Sequence, residues 1–175
     1  MIETQRLILT ELEDADTGFV FSLYTDPTFI KGVGDKGIKN TEDANRYLHE
    51  NLIGHYRAHG FGLWKVTLKS NQQAQGICGL VQRQSLLYPD VGFGFLKSAQ
   101  RQGFGTESAT AVLDYAQHQL GLSQVLGITS EENQGSQKLL EKIGLRRQPN
   151  VVMPEYGKES VVMFALKNDT VVLKS

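Results

Sequence analysis

The stretch SAQRQGFGTESATAVLDYA, Ser98 to Ala116, decides the fold. Gly103 and Gly105 stand one residue apart, directly ahead of a run in which Ala109, Val112, Leu113 and Ala116 recur at helical spacing. Upstream, DVGFGFL from Asp90 to Leu96 reads as a strand. Strand, glycine turn and helix together present free backbone N–H groups and a positive helix end to an anion. Glycine matters there because a Cβ would keep phosphate oxygens away from the backbone.

Three phosphate-binding patterns compete for the turn. A Walker A loop ends in Gly-Lys-Ser/Thr, but Gly105 is followed by Thr106 and the turn holds no lysine. A dinucleotide fingerprint, GxGxxG or GxGxxA, finds Ser108 at its third place, and GLSQVL (Gly121 to Leu126) supplies no acid to grip a ribose. The third pattern, Gln/Arg-x-x-Gly-x-Gly/Ala, fits Gln100 to Gly105 throughout. A ligand-free glycine connection explains one glycine, but not the pair together with the Gln-Arg-Gln before it.

Outward from the turn, Arg6 to Leu12 alternates as a first strand, and Asp14 to Tyr24 is a helix stopped by Asp26-Pro27. FIKGVGDKGIKN, Phe29 to Asn40, has three glycines and little periodicity and reads as a loop. Thr41 is the expected N-cap of a helix closed by Gly60. Gly62 to Leu68 and Gln75 to Gln84 form a hairpin around SNQQ. A helix from Gly103 to Leu120, a strand from Gln124 to Thr129 and a helix from Asn133 to Ile143 follow. Leu145 to Met153 and Ser160 to Lys167 close the chain as a strand pair, and the tail from Asn168 is unassigned. This order predicts an α/β fold of mixed α+β kind, one mixed sheet with helices on its faces, and neither a doubly wound parallel sheet nor a barrel.

A length of 175 residues suits one domain, expected over 1–168 with a tail at 169–175. A net charge of -1, from 18 Lys+Arg against 19 Asp+Glu, points to no nucleic-acid and no membrane partner. Cys78 is the only cysteine, so no internal disulfide forms, which fits a reducing compartment. The start MIETQRLILTELEDAD lacks the basic and apolar regions of a signal peptide, and no apolar run approaches the roughly 18 residues of a membrane span. The cytoplasm is the expected location.

On these motifs the sequence resembles the GNAT superfamily of acyl-CoA-dependent N-acyltransferases, in which the Gln/Arg-x-x-Gly-x-Gly/Ala turn wraps the pyrophosphate of coenzyme A. FGTESA is similar to the Gly-Tyr-Ala-Thr-Glu-Ala run of the RimJ/RimL-type branch, named for N-terminal acetylation of ribosomal proteins. Asn133-Gln134-Gly135-Ser136 followed by LLEKIGL resembles that branch's Asn-x-x-Ser and Leu-Leu-Glu-Lys-Leu-Gly-Phe motif. ETQRLILTELEDAD resembles its Thr-x-Arg-Leu-x-Leu-Arg start, so the likeness runs from about Glu3 to Leu166.

The resemblance implies a mostly antiparallel mixed sheet of about seven strands and about four helices, splayed between Asp90 to Leu96 and Gln124 to Thr129. It implies acetyl-CoA as the acyl donor, with pantetheine in the splay and no metal. Donor contacts carry over onto Phe93, Phe95, Leu96, Lys97, Gln100, Arg101, Gln102, Gly103, Phe104, Gly105, Thr106, Asn133 and Ser136. A backbone N–H near Phe93 or Gly94 would stabilise the oxyanion that develops on the thioester. Gly92 and Gly94 suit either close backbone approach or room for a neighbouring side chain.

The implied reaction is direct attack of a neutral amine in a ternary complex, which needs one group to take a proton and another to return one to the thiolate. Many members place a tyrosine for the second role seven residues after the motif asparagine; Leu140 stands there. Ser136, or a water it holds, is the named substitute, and its other reading is a polar residue in a first helical turn. Asp90 is the first candidate base, its alternative a solvated carboxylate at a strand end. Glu107 is a further candidate, or serves only the helix dipole.

The acceptor implied is a primary amine, either a protein N-terminus or a small amine, and the protein a monomer or homodimer. Its site would be shaped by 29–40, with Lys31, Asp35, Lys36 and Lys39, and by 147–160, with Arg147, Glu155, Tyr156, Lys158 and Glu159. Two other classes stay open: a CoA-binding module without catalysis, on the missing tyrosine, and a dinucleotide-dependent enzyme. His55 and His59 sit four apart with no third metal ligand apparent, and Cys78 reads as a small core residue.

Overall fold

Leu7 and Leu9 point one way from their strand and Ile8 and Thr10 the other, and only the two leucines are fully buried. The same alternation recurs through a sheet in the computed structural model, which describes residues 1–157, 160–167, 173 and 174. Its strands are β1 (Ile2–Glu3), β2 (Leu7–Thr10), β3 (Leu63–Leu68), β4 (Gln73–Val81), β5 (Asp90–Phe95), β6 (Leu126–Thr129), β7 (Arg146–Val152) and β8 (Ser160–Ala165). They lie in the order β1-β2-β3-β4-β5-β6-β8-β7. Every neighbouring pair is antiparallel except β5 and β6, which are parallel.

The helices are α1 (Thr17–Tyr24), α2 (Pro27–Val33), α3 (Thr41–Tyr47), α4 (Gly54–His59), α5 (Phe104–His118) and α6 (Gln134–Lys142). A π-helical segment, Leu48–Ile53, joins α3 to α4 in one continuous rod, and Gly60 ends it in the left-handed region at φ 76°. On one face of the sheet α5 buries Ala109, Val112, Leu113 and Ala116 against Trp64, Val66, Cys78 and Leu80. On the other face α1, α2 and the π-helical segment pack Leu23, Phe29 and Leu48 with Ile77. Burying each large aliphatic or aromatic side chain contributes about 1.5–3 kcal/mol, which is what holds both helical layers to the sheet.

The expected mixed sheet is present, with an eighth strand the sequence did not show. β1 is only two residues long and gains its place by pairing Ile2 with Leu9 and Glu3 with Ile8. The expected loop from Phe29 to Asn40 is a helix in its first part. Asp26 Oδ1 accepts from the N–H groups of Thr28 (2.7 Å) and Phe29 (3.3 Å), and Pro27 occupies the first turn, so the dipeptide that stops α1 also starts α2. The cap of α3 is Asn40 rather than Thr41: its Oδ1 accepts from Asp43 N at 2.8 Å. Past the strand pair, Leu173 bridges to Leu86 and Lys174 N–H donates to Ser85 O at 2.8 Å.

Candidate active site

β5 is paired with β4 along its whole length, from Gly76 opposite Phe95 to Val81 opposite Asp90, without a register shift. Its other edge meets β6 at Asp90 opposite Leu126 alone. From there the two parallel strands part, and the outer edge of β5 past Asp90 has no strand beside it among the described residues. An open sheet edge can accept the amides of an extended ligand as it accepts a strand. The gap widens into a cavity of about 820 Å³, within the roughly 300–1,000 Å³ of small-molecule sites.

The glycine turn forms the far wall. Arg101 at φ 61° and Gly103 at φ 82° both lie in the left-handed region, a geometry that turns neighbouring backbone N–H groups toward one side. Gly103 is the N-cap of α5, and among the described residues no side chain caps that helix end. The first N–H groups of α5, which have no intrahelical partner, therefore face the cavity at its positive end. Among the described residues Lys31, Arg101, Lys138 and Lys142 line the cavity against one acid, Glu132. A ligand that joins an extended amide chain to a diphosphate fits both walls.

The sequence profile of the acetyltransferase (GNAT) domain matches residues 6–146. The chain belongs to the GNAT acetyltransferase family. It is 23% identical over 149 residues to the uncharacterized N-acetyltransferase YoaA of Bacillus subtilis, covering 85% of this chain and 84% of that protein. It shares the fold of a crystal structure of an acetyltransferase from Agrobacterium tumefaciens, with TM-score 0.79 and 21% identity over 94% of this chain and 92% of the other. RimL, a ribosomal L7/L12 alpha-N-protein acetyltransferase solved with coenzyme A, superposes with TM-score 0.76 at 13% identity, over 93% and 94% of the two chains. As a GNAT protein the chain is an N-acetyltransferase, and the dinucleotide-dependent alternative falls away.

Most of the donor contacts expected in this GNAT chain surround the cavity: Phe93, Phe95, Gln100, Arg101, Gly103, Phe104, Gly105, Thr106, Asn133 and Ser136. Leu96, Lys97 and Gln102 do not line it. The N–H of Leu96 donates to Gln75 O, that of Lys97 to Asp26 Oδ2 at 3.3 Å, and the carbonyl of Gln102 accepts from Arg6 Nη1 at 3.0 Å. Asn133 caps α6, its Oδ1 accepting from Ser136 N at 3.1 Å, so the cap fixes both residues at the cavity wall. Gly94 makes room for a neighbour: a Cβ there would lie 2.3 Å from the Phe29 ring. Gly92 is crowded by Leu63 at 3.1 Å, and the unbroken β4–β5 register leaves no bulge at either glycine.

The three candidate catalytic side chains part company. Ser136 lines the cavity. Asp90 is not the solvated strand-end carboxylate: it is 1% exposed, and Arg83 donates to both its oxygens, Nε to Oδ1 at 2.8 Å and Nη2 to Oδ2 at 3.3 Å. Burial pushes its pKa above the ordinary value and outweighs the pull of Arg83. It stands three residue steps along the strand from Phe93, roughly 10 Å at about 3.3 Å each. Glu107 lies outside the cavity wall. Burial raises its pKa, but bonds from Thr4 and Arg6 outweigh this and hold it below the usual range. Leu140, at the tyrosine place, is buried beneath Gly127.

At the Asp90 end, Arg83's guanidinium carbon stands 5.7 Å from the centre of the Tyr156 ring. Glu155 accepts from Ser85 Oγ at 2.8 Å and ties the β7–β8 connection to that end of the site. Arg147 instead pairs with Glu131 at 2.7 Å, and Lys158 and Glu159 lie outside the described residues. His55 Nε2 accepts from Gln82 N at 3.1 Å. Among the described residues no group of three or more His, Cys, Asp and Glu could hold a metal, and no helix is long and apolar enough to cross a membrane.

Sequence reasoning missed the cavity's roof. Thr28, Phe29, Lys31, Gly32 and Val33 of α2 line it, and Gln100 Nε2 donates to Thr28 Oγ1 at 3.1 Å across the mouth. The signal was Asp26-Pro27-Thr28, an N-cap followed by a first-turn proline. Lys138 and Lys142 were missed too, although their i,i+4 spacing puts them on one face of α6.

Proposed function

We propose that this protein, a single domain over 1–168, is an acetyl-CoA-dependent N-acetyltransferase that moves the acetyl group to a primary amine by direct attack in a ternary complex. The observation that carries the reading is the convergence of the β5–β6 splay and the uncapped, cation-flanked α5 N-terminus on one cavity. The diphosphate would rest on the N–H groups of Gly103 to Thr106, with Arg101, Lys138 and Lys142 beside it. Pantetheine would run along Phe95 and Phe93 toward the closed end of the splay. A β5 backbone N–H near Phe93 or Gly94 would hold the developing oxyanion.

The amine would enter from the Asp90 end, beside Arg83 and Tyr156. Asp90, whose raised pKa suits a group that accepts a proton, would take the ammonium proton through water across the remaining distance. Ser136, fixed at the wall by Asn133, would return a proton to the thiolate directly or through water. A peptide N-terminus is the acceptor we favour, supported by the fold shared with RimL, itself an alpha-N-protein acetyltransferase. The site stands in the cytoplasm in this reading.

Incubation with acetyl-CoA and a panel of peptides and polyamines, followed by mass spectrometry and free-thiol assay, tests it. The reading expects an acetylated amine with one thiol released per acetyl transferred. Binding of acetyl-CoA without transfer to any amine of the panel would overturn the reading.

A further inference from the structure

Arg6, in the connection between β1 and β2, reaches across the sheet edge to the glycine turn. Its backbone N–H donates to Glu107 Oε1 at 2.8 Å, and its Nε and Nη2 each lie 2.7 Å from Oε2. Nη1 donates to the carbonyl of Gln102 at 3.0 Å. The guanidinium carbon sits 4.7 Å from the centre of the Phe104 ring, and a Cβ at Gly103 would lie 3.3 Å from Nη2. Thr4 Oγ1 adds a bond of 2.6 Å to Glu107 Oε1. One guanidinium thus touches the residues on both sides of Gly103 and the carboxylate one turn into α5.

Neither Arg6 nor Glu107 lines the cavity. The turn they grip holds Arg101 and Gly103 at positive φ, and a non-glycine residue keeps that backbone only where its surroundings over-determine it. Electrostatics asks for the same pair. A lone carboxylate in the first turn of α5 would repel a phosphate from the helix end, and Arg6 cancels that charge without lining the cavity. We propose that Arg6 and Glu107 are positioning residues for the donor's diphosphate: their ion pair presets the backbone N–H groups of Gly103 to Thr106 without touching the ligand. This rests on the donor reading of the cavity given above.

The test compares two donors on Glu107→Gln, which keeps the side chain's size and removes its charge; loss of that charge alone would favour a diphosphate, so weakened binding reads the lost geometry. Titration with acetyl-CoA and with S-acetylpantetheine, which lacks the diphosphate, separates positioning from general damage. The expected result is acetyl-CoA affinity weakened by at least about tenfold, with S-acetylpantetheine within about twofold of wild type. Amide exchange at Phe104 to Thr106 should quicken in the unliganded variant while that at Val112 to Ala116 stays as in wild type. Arg6→Lys, which keeps the charge and loses the fork, is read by the same criteria if Glu107→Gln does not fold. Unchanged acetyl-CoA affinity, or equal weakening of both donors, overturns the proposal. Failure of the wild type to bind acetyl-CoA defeats the donor reading itself, and the proposal falls with it.

Discussion

Replacing Arg83 with methionine should destabilise the protein in a way that grows with pH. Asp90 is 1% exposed and depends on Arg83 for bonds of 2.8 and 3.3 Å. Breaking a buried pair by removing one partner costs about 3–5 kcal/mol. The Arg83 side chain is 25% exposed, so water reaches part of the vacated space and the lower end, about 3 kcal/mol, applies near pH 7. For a chain of this length that corresponds to roughly 6–12 °C in Tm. The sign follows from Asp90, whose pKa burial already raises and which would rise further without the guanidinium. A carboxyl raised in the folded state contributes stability that is complete below its unfolded value and is lost as pH rises through the folded one. The variant should therefore lie near wild type at about pH 4 and fall away toward pH 7. Urea unfolding followed by circular dichroism at several pH values measures the gap. A loss below about 1 kcal/mol at pH 7, or one equal at both ends of the range, would refute the reasoning.

Cys78 is fully buried, and burial pushes its thiol up to about 12, against a smaller opposing contribution from Ser108. It should stay inert to a thiol-specific disulfide reagent in the native protein and release one equivalent on unfolding; prompt native reaction would contradict its placement. Gly94→Val should force the Phe29 ring off β5, since the first added carbon would already lie 2.3 Å from it. A cost of about 1–3 kcal/mol is expected in urea unfolding, and measured against Phe29→Ala alone the same substitution should recover most of it. Absence of that recovery would show that the clash lies elsewhere.

The fold was legible wherever one residue pattern had one structural outcome. The alternation in LWKVTL, the stripe of α5 and the Gly60 stop all follow from periodicity and backbone chemistry. β1 was not legible because two residues carry no period, and only pairing with β2 makes Ile2–Glu3 a strand. Asp26-Pro27 has two meanings, an end for one helix and a start for the next, and the glycines that follow obscured the second. α2 consequently vanished from the sequence reading, and with it the roof of the cavity. The donor walls were legible because glycine spacing encodes backbone geometry locally. The environment of Asp90 was not: its partner lies across the β4–β5 connection, and no sequence period announces that Arg83 folds back onto it. Glu107 shows the same limit, since its partners Thr4 and Arg6 lie a hundred residues away in sequence.

The central claim, that acetyl-CoA binds at the glycine turn, is tested most directly by isothermal titration of acetyl-CoA into the wild type and into Gly105→Tyr. A Cβ at Gly105 would crowd the flexible end of Leu139, at 2.8 Å, and touch the Phe95 ring at an ordinary 3.5 Å, so the helix can keep its place while the new ring fills the turn. Circular dichroism of the variant checks that it is folded. The account predicts saturable binding to the wild type, with affinity on the order of micromolar, and none to the folded variant. No binding by the wild type, or undiminished binding by the variant, would contradict it.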